Sequence, residues 1–75
     1  MEGGVTFIGQ VYDFDAFKGY AQVLIADETT DVALLVSDEF MYATLVLAAQ
    51  MRHTVEVTYT EGPPNVPSRV KLNLP

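Results

Sequence analysis

The 75 residues contain no cysteine, no tryptophan, one histidine, and only four lysines and arginines. Without cysteine there is neither a disulfide framework nor a thiolate zinc site, and the same lack leans toward the cytoplasm. The lone histidine, His53, has no flanking motif to bring Ser37 or Ser68 into a Ser–His–Asp arrangement. It reads as a dipole-favoured group at a helix end. Ten acids against four bases give a formal charge of −6, which opposes nucleic acid and anionic membranes. No apolar run reaches the roughly 18 residues of a membrane span. The start, MEGGV, has no basic segment followed by an apolar one, so no signal peptide is expected. No phosphate-cradling glycine loop occurs: Gly3-Gly4 precedes a strand and Gly62 is followed by Pro63. Repeats and low-complexity tracts are missing too, and the length allows one domain, 1–75.

What is present is apolar, at 49% of the residues. The richest stretch is Phe40–Arg52, FMYATLVLAAQMR, with good helix formers and no Gly or Pro. Ser37 or Asp38 can cap its start. At about 100° per residue, Phe40, Leu47 and Met51 form one apolar stripe. Tyr42, Leu45, Val46 and Ala49 form another on the opposite side. A helix apolar all round is covered on both sides. The first stripe is expected to close the domain core. The second is then expected to be the interface of a homo-oligomer.

Strands are expected at Val5–Phe14, Tyr20–Ala26, Val32–Val36, Thr54–Thr60 and Arg69–Leu74, from alternation and β-branched residues. Inward residues should be Val5, Phe7 and Val11, then Ala21, Val23 and Ile25, then Val55, Val57 and Tyr59, and last Val70, Leu72 and Leu74. Gly9 should mark a bulge or bend. Met1–Gly4 is a loose lead-in, Asp15–Gly19 a turn and Asp27–Asp31 a polar hairpin loop. Glu61–Ser68 is a loop that its three prolines bar from a central strand. The order β-β-β-α-β-β predicts an all-β fold with one helix, of the OB-fold kind, a five-stranded Greek-key barrel. An SH3-like barrel and an α+β sheet with one covering helix are the competitors.

Two family resemblances bear on this. GQVYDFDAFKGYAQV (Gly9–Val23) and DVALLV (Asp31–Val36) resemble the opening strands of cold-shock domains, OB-folds that stack single-stranded nucleic acid on aromatics. Lys18 and Tyr20 match that pattern. Asp13, Gln22, Ala33, Leu35 and Val36 stand where the family has its aromatic or histidine residues. LAAQMRHTVEVTY (Leu47–Tyr59) resembles the pentameric B subunits of bacterial toxins, OB-folds whose helices line a ring and whose barrels bind glycans. That likeness implies a ring, and suggests five copies. The cysteine pair of those subunits has no counterpart here.

The combined expectation is a non-enzymatic binding module with no cofactor or metal. It would bind a glycan or peptide through Tyr12, Phe17, Tyr20, Gln22, Leu24 and Leu35, with Ala33 among them, since OB-folds use the exposed face of strands 2 and 3. It would self-associate through Tyr42, Leu45, Val46 and Ala49. The alternative is a cold-shock-like nucleic-acid binder, which needs Lys18, Arg69 and Lys71 on one face with Tyr20. The acids Asp13, Asp15, Asp27, Glu28 and Asp31 match no calcium loop and read as solvated loop charge.

Overall fold

The computed structural model describes residues 4–74, so the lead-in before Gly4 lies outside the described residues. Among these residues the chain forms β1 (Val5–Phe17), β2 (Tyr20–Ala26), β3 (Asp31–Val36), α1 (Glu39–Met51), β4 (Thr54–Thr60) and β5 (Val66–Leu72). The strands make one antiparallel sheet in the order β3-β2-β1-β4-β5. The element order is the one expected. The sheet is open: among the described residues the pairing across its edges is an isolated parallel bridge from Leu34 of β3 to Asn65, just before β5, and not a ladder.

β1 organises the sheet because it serves two partners. Val5 to Gln10 pair with β4, and Gln10 to Phe17 pair with β2. The handover falls beside Gly9. A Cβ there would lie 2.6 Å from the Ala26 carbonyl oxygen, so only glycine lets the end of β2 come this close. The bulge itself falls three residues later. Register shifts between Val11 and Asp13, leaving Tyr12 as the extra residue. Because strand faces alternate with period two, one extra residue exchanges the faces beyond it. Phe14 and Ala16 therefore lie across from inward Val23 and Ala21, while Asp13, Asp15 and Phe17 face outward.

β1 also outruns its expected end. Phe17 pairs with Tyr20, which reduces the turn to Lys18-Gly19, with Gly19 at a φ of +89°. β5 begins at Val66, inside the expected loop. Pro67 is tolerated because β5 is an edge strand, and a shift between Thr58 and Tyr59 accommodates it. Leu74, assigned inward, is exposed beyond the end of β5.

The core consists of Val11, Val23, Ile25, Val32, Leu34, Val36, Val55, Val57 and Tyr59 from the sheet, with Leu45 and Ala48 from α1. Among the described residues no polar or charged residue is buried, so the interior carries no desolvated group needing a partner. Asp38 caps α1, its carboxylate accepting from the Phe40 and Met41 N–H groups at 2.8 and 3.0 Å. At the other end Arg52 adopts the left-handed conformation (φ 59°), and its N–H reaches the Ala48 and Ala49 carbonyls.

The two helix stripes are reversed from expectation. Leu45 and Ala48 are fully buried, and Tyr42 and Ala49 pack against the core. Phe40 is 86% exposed, Leu47 45% and Met51 44%. Leu45 therefore cannot be an interface residue, and Tyr42 and Ala49 already have core partners. Hydrophobicity alone favoured the Phe and Met stripe. The packing instead selects the side whose small Ala48 and Ala49 let the helix approach the sheet closely.

Two stability outcomes follow. Leu45→Ala should cost about 2–5 kcal/mol in chemical denaturation, while Leu47→Ala should stay within about 1 kcal/mol of the parent. Gly9→Ala should destabilise by about 1–3 kcal/mol, because the Ala26 carbonyl is backbone and cannot swing aside.

Candidate functional site

The outer face of β1–β3 is laid out in cross-strand rows. Asp13, Leu24 and Ala33 form one; Asp15, Gln22 and Leu35 form the next; Phe17 and Tyr20 form the last, at the hairpin end. Side chains directly opposite on one face are near neighbours. Phe17 and Tyr20 stack with ring centroids 5.0 Å apart and planes 20° from parallel, and both rings stay half exposed. The Lys18-Gly19 turn positions this pair: a two-residue connection keeps the flanking residues opposite each other.

Of the expected ligand residues, Phe17, Tyr20, Gln22 and Leu35 line one depression of roughly 380 Å³. Tyr12 and Leu24 lie in an adjoining one with Asp31 and Val32, and Ala33 borders both. The residues named from sequence are thus brought to one face, in two connected hollows. The far wall of the first hollow is the loop Gly62, Pro63, Pro64 and Asn65. From the sequence, Glu61–Ser68 is only a loop barred from a central strand, and none of its residues is among the expected ligand residues.

Asn65 fastens that wall. Its backbone carbonyl accepts from the Leu35 N–H at 2.8 Å. Its side-chain N–H donates to the Ala33 carbonyl at 3.0 Å, and its side-chain oxygen accepts from the Gly62 N–H at 3.0 Å. The first two bonds satisfy backbone groups at the β3 edge, and the third ties Asn65 to its own loop. They also hold Pro63 and Pro64 opposite Phe17 and Tyr20.

The electrostatics of the face are acidic. Asp13 and Asp15 sit on its β1 side, made outward by the bulge at Tyr12. The Tyr12 hydroxyl donates to Asp31 Oδ2 at 3.2 Å. Desolvation raises the Tyr12 pKa first, with the Asp31 hydrogen bond and the charges of Asp31 and Asp13 adding to it. A deprotonated phenol beside two carboxylates is disfavoured, so Tyr12 stays a donor. Neither Asp13 nor Asp15 was included in the expected site. The extra residue at Tyr12 hid them, because simple alternation places Asp13 on the inner face.

At the other end of β2, Asp27 builds the turn to β3. Its Oδ1 accepts from the Thr29 and Thr30 N–H groups, both at 2.8 Å. These bonds, before any other influence, lower the Asp27 pKa. A larger hollow of roughly 700 Å³ beside this turn is lined by Ile8, Gly9, Gln10, Tyr12 and the Asp27–Glu28 backbone region. It is wide and shallow and does not contain the Phe17–Tyr20 pair.

Ser37 precedes α1 and His53 follows it, so about 20 Å of helix separates them. Ser68 donates to the Thr58 carbonyl at 3.2 Å. Among the described residues no three of His, Asp and Glu gather as metal ligands, and no helix is long and apolar enough to cross a membrane. Arg69 and Lys71 lie on β5, at the opposite edge of the sheet order from β3.

Comparison with protein families, with curated proteins and with solved structures finds no match.

The Asp27 turn carries a pH signature. Its folded pKa lies below the unfolded value, so its contribution is present above the unfolded pKa and is lost as pH falls through the folded pKa. Asp27→Asn keeps an acceptor oxygen but removes the titration. Melting temperatures recorded across the acid range should fall less steeply for Asp27→Asn than for the parent.

Proposed function

We propose that this chain is a non-enzymatic recognition module of OB type that binds an extended peptide bearing basic side chains across the outer face of β1–β3. The observation that carries the reading is the joining of the stacked Phe17–Tyr20 pair, Leu35 and the Pro63-Pro64 wall in one hollow, with Asp13 and Asp15 along its β1 side. Aromatic and proline surfaces bury apolar ligand groups at little conformational cost. Gln22 offers both an amide donor and an acceptor on the middle row. Carboxylates two residues apart on a strand repeat at about 7 Å, the same-face spacing of an extended peptide.

OB-type closure is supported by the element order, the bend of β1 between two partners, and the Leu34–Asn65 bridge between the outer strands. A barrel closed there and a recognition face on strands 2 and 3 belong to the same architecture. The non-enzymatic reading is supported by Ser37 and His53 lying at opposite ends of α1 and by Ser68 donating to the Thr58 carbonyl.

A glycan is the second reading, favoured by the exposed Phe17 and Tyr20 rings. Single-stranded nucleic acid is opposed by Asp13 and Asp15 on the face that would meet phosphates. Self-association through α1 remains part of the proposal, now through its outward side.

The test is an amide-shift NMR titration with three probes: a nonapeptide alternating lysine and leucine, a chito-oligosaccharide, and oligo-dT at low salt. The peptide should shift amides of Gln22, Leu24, Ala33 and Leu35, and Tyr20→Ala should weaken it by about tenfold or more. Asp13→Asn with Asp15→Asn should weaken it and flatten its salt dependence. Shifts with the saccharide alone favour the second reading. Tighter binding of oligo-dT than of either other probe overturns the proposal.

A further inference from the structure

The stacked Phe17–Tyr20 pair borders a second hollow, where the end of the β1–β2 hairpin meets the first turn of α1. Its volume is roughly 340 Å³, at the small end of ligand pockets. Its floor is one cross-strand row, Ala16, Ala21 and Val36. Ala16 belongs to that row because the extra residue at Tyr12 exchanges the faces of β1. Two alanines directly opposite each other leave room that longer side chains would fill.

Phe17 and Tyr20 border the notch from the hairpin, and Asp38, Glu39 and Tyr42 border it from the helix. The spacing of those three sets them on one side of α1. Tyr42 is held by an edge-to-face contact with Phe14, ring centroids 6.2 Å apart. A helix start by itself favours an anion. Here the Asp38 carboxylate already accepts from the Phe40 and Met41 N–H groups. Both bonds fall on Oδ1, so Oδ2 has no protein donor among the described residues. The notch thus offers two carboxylates, three aromatic residues and an apolar floor.

That combination fits a cation on an alkyl stem. Aromatic faces attract a cation, carboxylates accept its hydrogen bonds, and its methylenes bury against alanine and valine. We propose that this notch takes an alkylammonium group. The proposal rests on the recognition reading for one of two sources: a lysine of the bound peptide that crosses the Phe17–Tyr20 pair from the outer face. A free aliphatic amine carries the same chemistry.

Four probes on the full chain, at constant ionic strength, test this by amide-shift NMR: butylammonium, 1-butanol, Nα-acetyl-lysine methylamide, and the same lysine acetylated at Nε. Butylammonium should shift the amides of Gly19, Val36, Ser37 and Glu39 and leave Leu24 and Ala33 in place, with a Kd on the order of millimolar. The two uncharged probes should each bind at least about threefold more weakly than their charged counterparts. Asp38→Asn with Glu39→Gln keeps a capping acceptor and should weaken butylammonium by at least about threefold. Ala16→Leu, at an exposed position, should keep the circular dichroism and abolish the shifts. Lys18 stands between Phe17 and Gly19 in the turn, so Lys18→Gln removes a like charge and should tighten binding.

No shift at the notch up to about 50 mM butylammonium overturns the proposal. So does butanol binding equal to butylammonium, or parent-like binding by the Asp38–Glu39 variant or by Ala16→Leu. Response to both butylammonium and the charged lysine supports the peptide as the source. Response to butylammonium alone supports a site for a free amine. If the notch answers butylammonium while Gln22, Leu24, Ala33 and Leu35 ignore the lysine–leucine nonapeptide, the peptide reading fails and the notch stands. If those amides answer the nonapeptide and the notch ignores every amine, the notch alone fails.

Discussion

At Gly9 the backbone of β1 passes so near the Ala26 carbonyl that no side chain fits between them. This close approach is where one strand changes partners, from β4 to β2. A straight strand of that length would carry both neighbours in one plane, leaving the sheet's two ends far apart. Here the edges approach at the isolated Leu34–Asn65 bridge, where Asn65 reaches the β3 edge. The hollow beside Phe17 and Tyr20 has a second wall only because of that reach. α1 packs on the core side of the same sheet, where Leu45 and Ala48 join its buried residues.

Much of this was legible in the residues. Thr54–Thr60 alternates without interruption and forms a strand with the same bounds and the same inward set. Tyr20–Ala26 does likewise. The helix was displaced by one residue, because its cap is Asp38 and its last residue hands over to the left-handed Arg52. Where the reading failed, a local irregularity broke a period. The extra residue at Tyr12 turned Asp13 and Asp15 outward, and composition does not announce a bulge. Pro67 lies within β5 because edge strands spare the missing N–H.

The helix stripes failed for a different reason. Both were apolar, and a wheel shows direction without showing the space available on each side. Leu45 with Ala48 and Ala49 makes a shallow surface that lets backbones approach, whereas Phe40 would hold the helix away. Volume decided the orientation, and hydropathy did not. On the outer face of β1–β3 the separate side chains were named from the sequence, but their arrangement into rows required the strand register. The Pro63-Pro64 wall required a long-range contact that no local pattern encodes.

Asn65 separates two duties that loops often combine. Its own amide and carbonyl hold the segment to β3, while the neighbouring prolines present the surface. Attachment therefore rests on the backbone carbonyl and the side-chain amide of Asn65, and the shape of the wall on residues that make no hydrogen bond through their side chains. Replacements at 63 and 64 can reshape the hollow without loosening its anchor. Such a division lets the outer surface of this 75-residue chain change shape at two exposed positions, with the interior untouched.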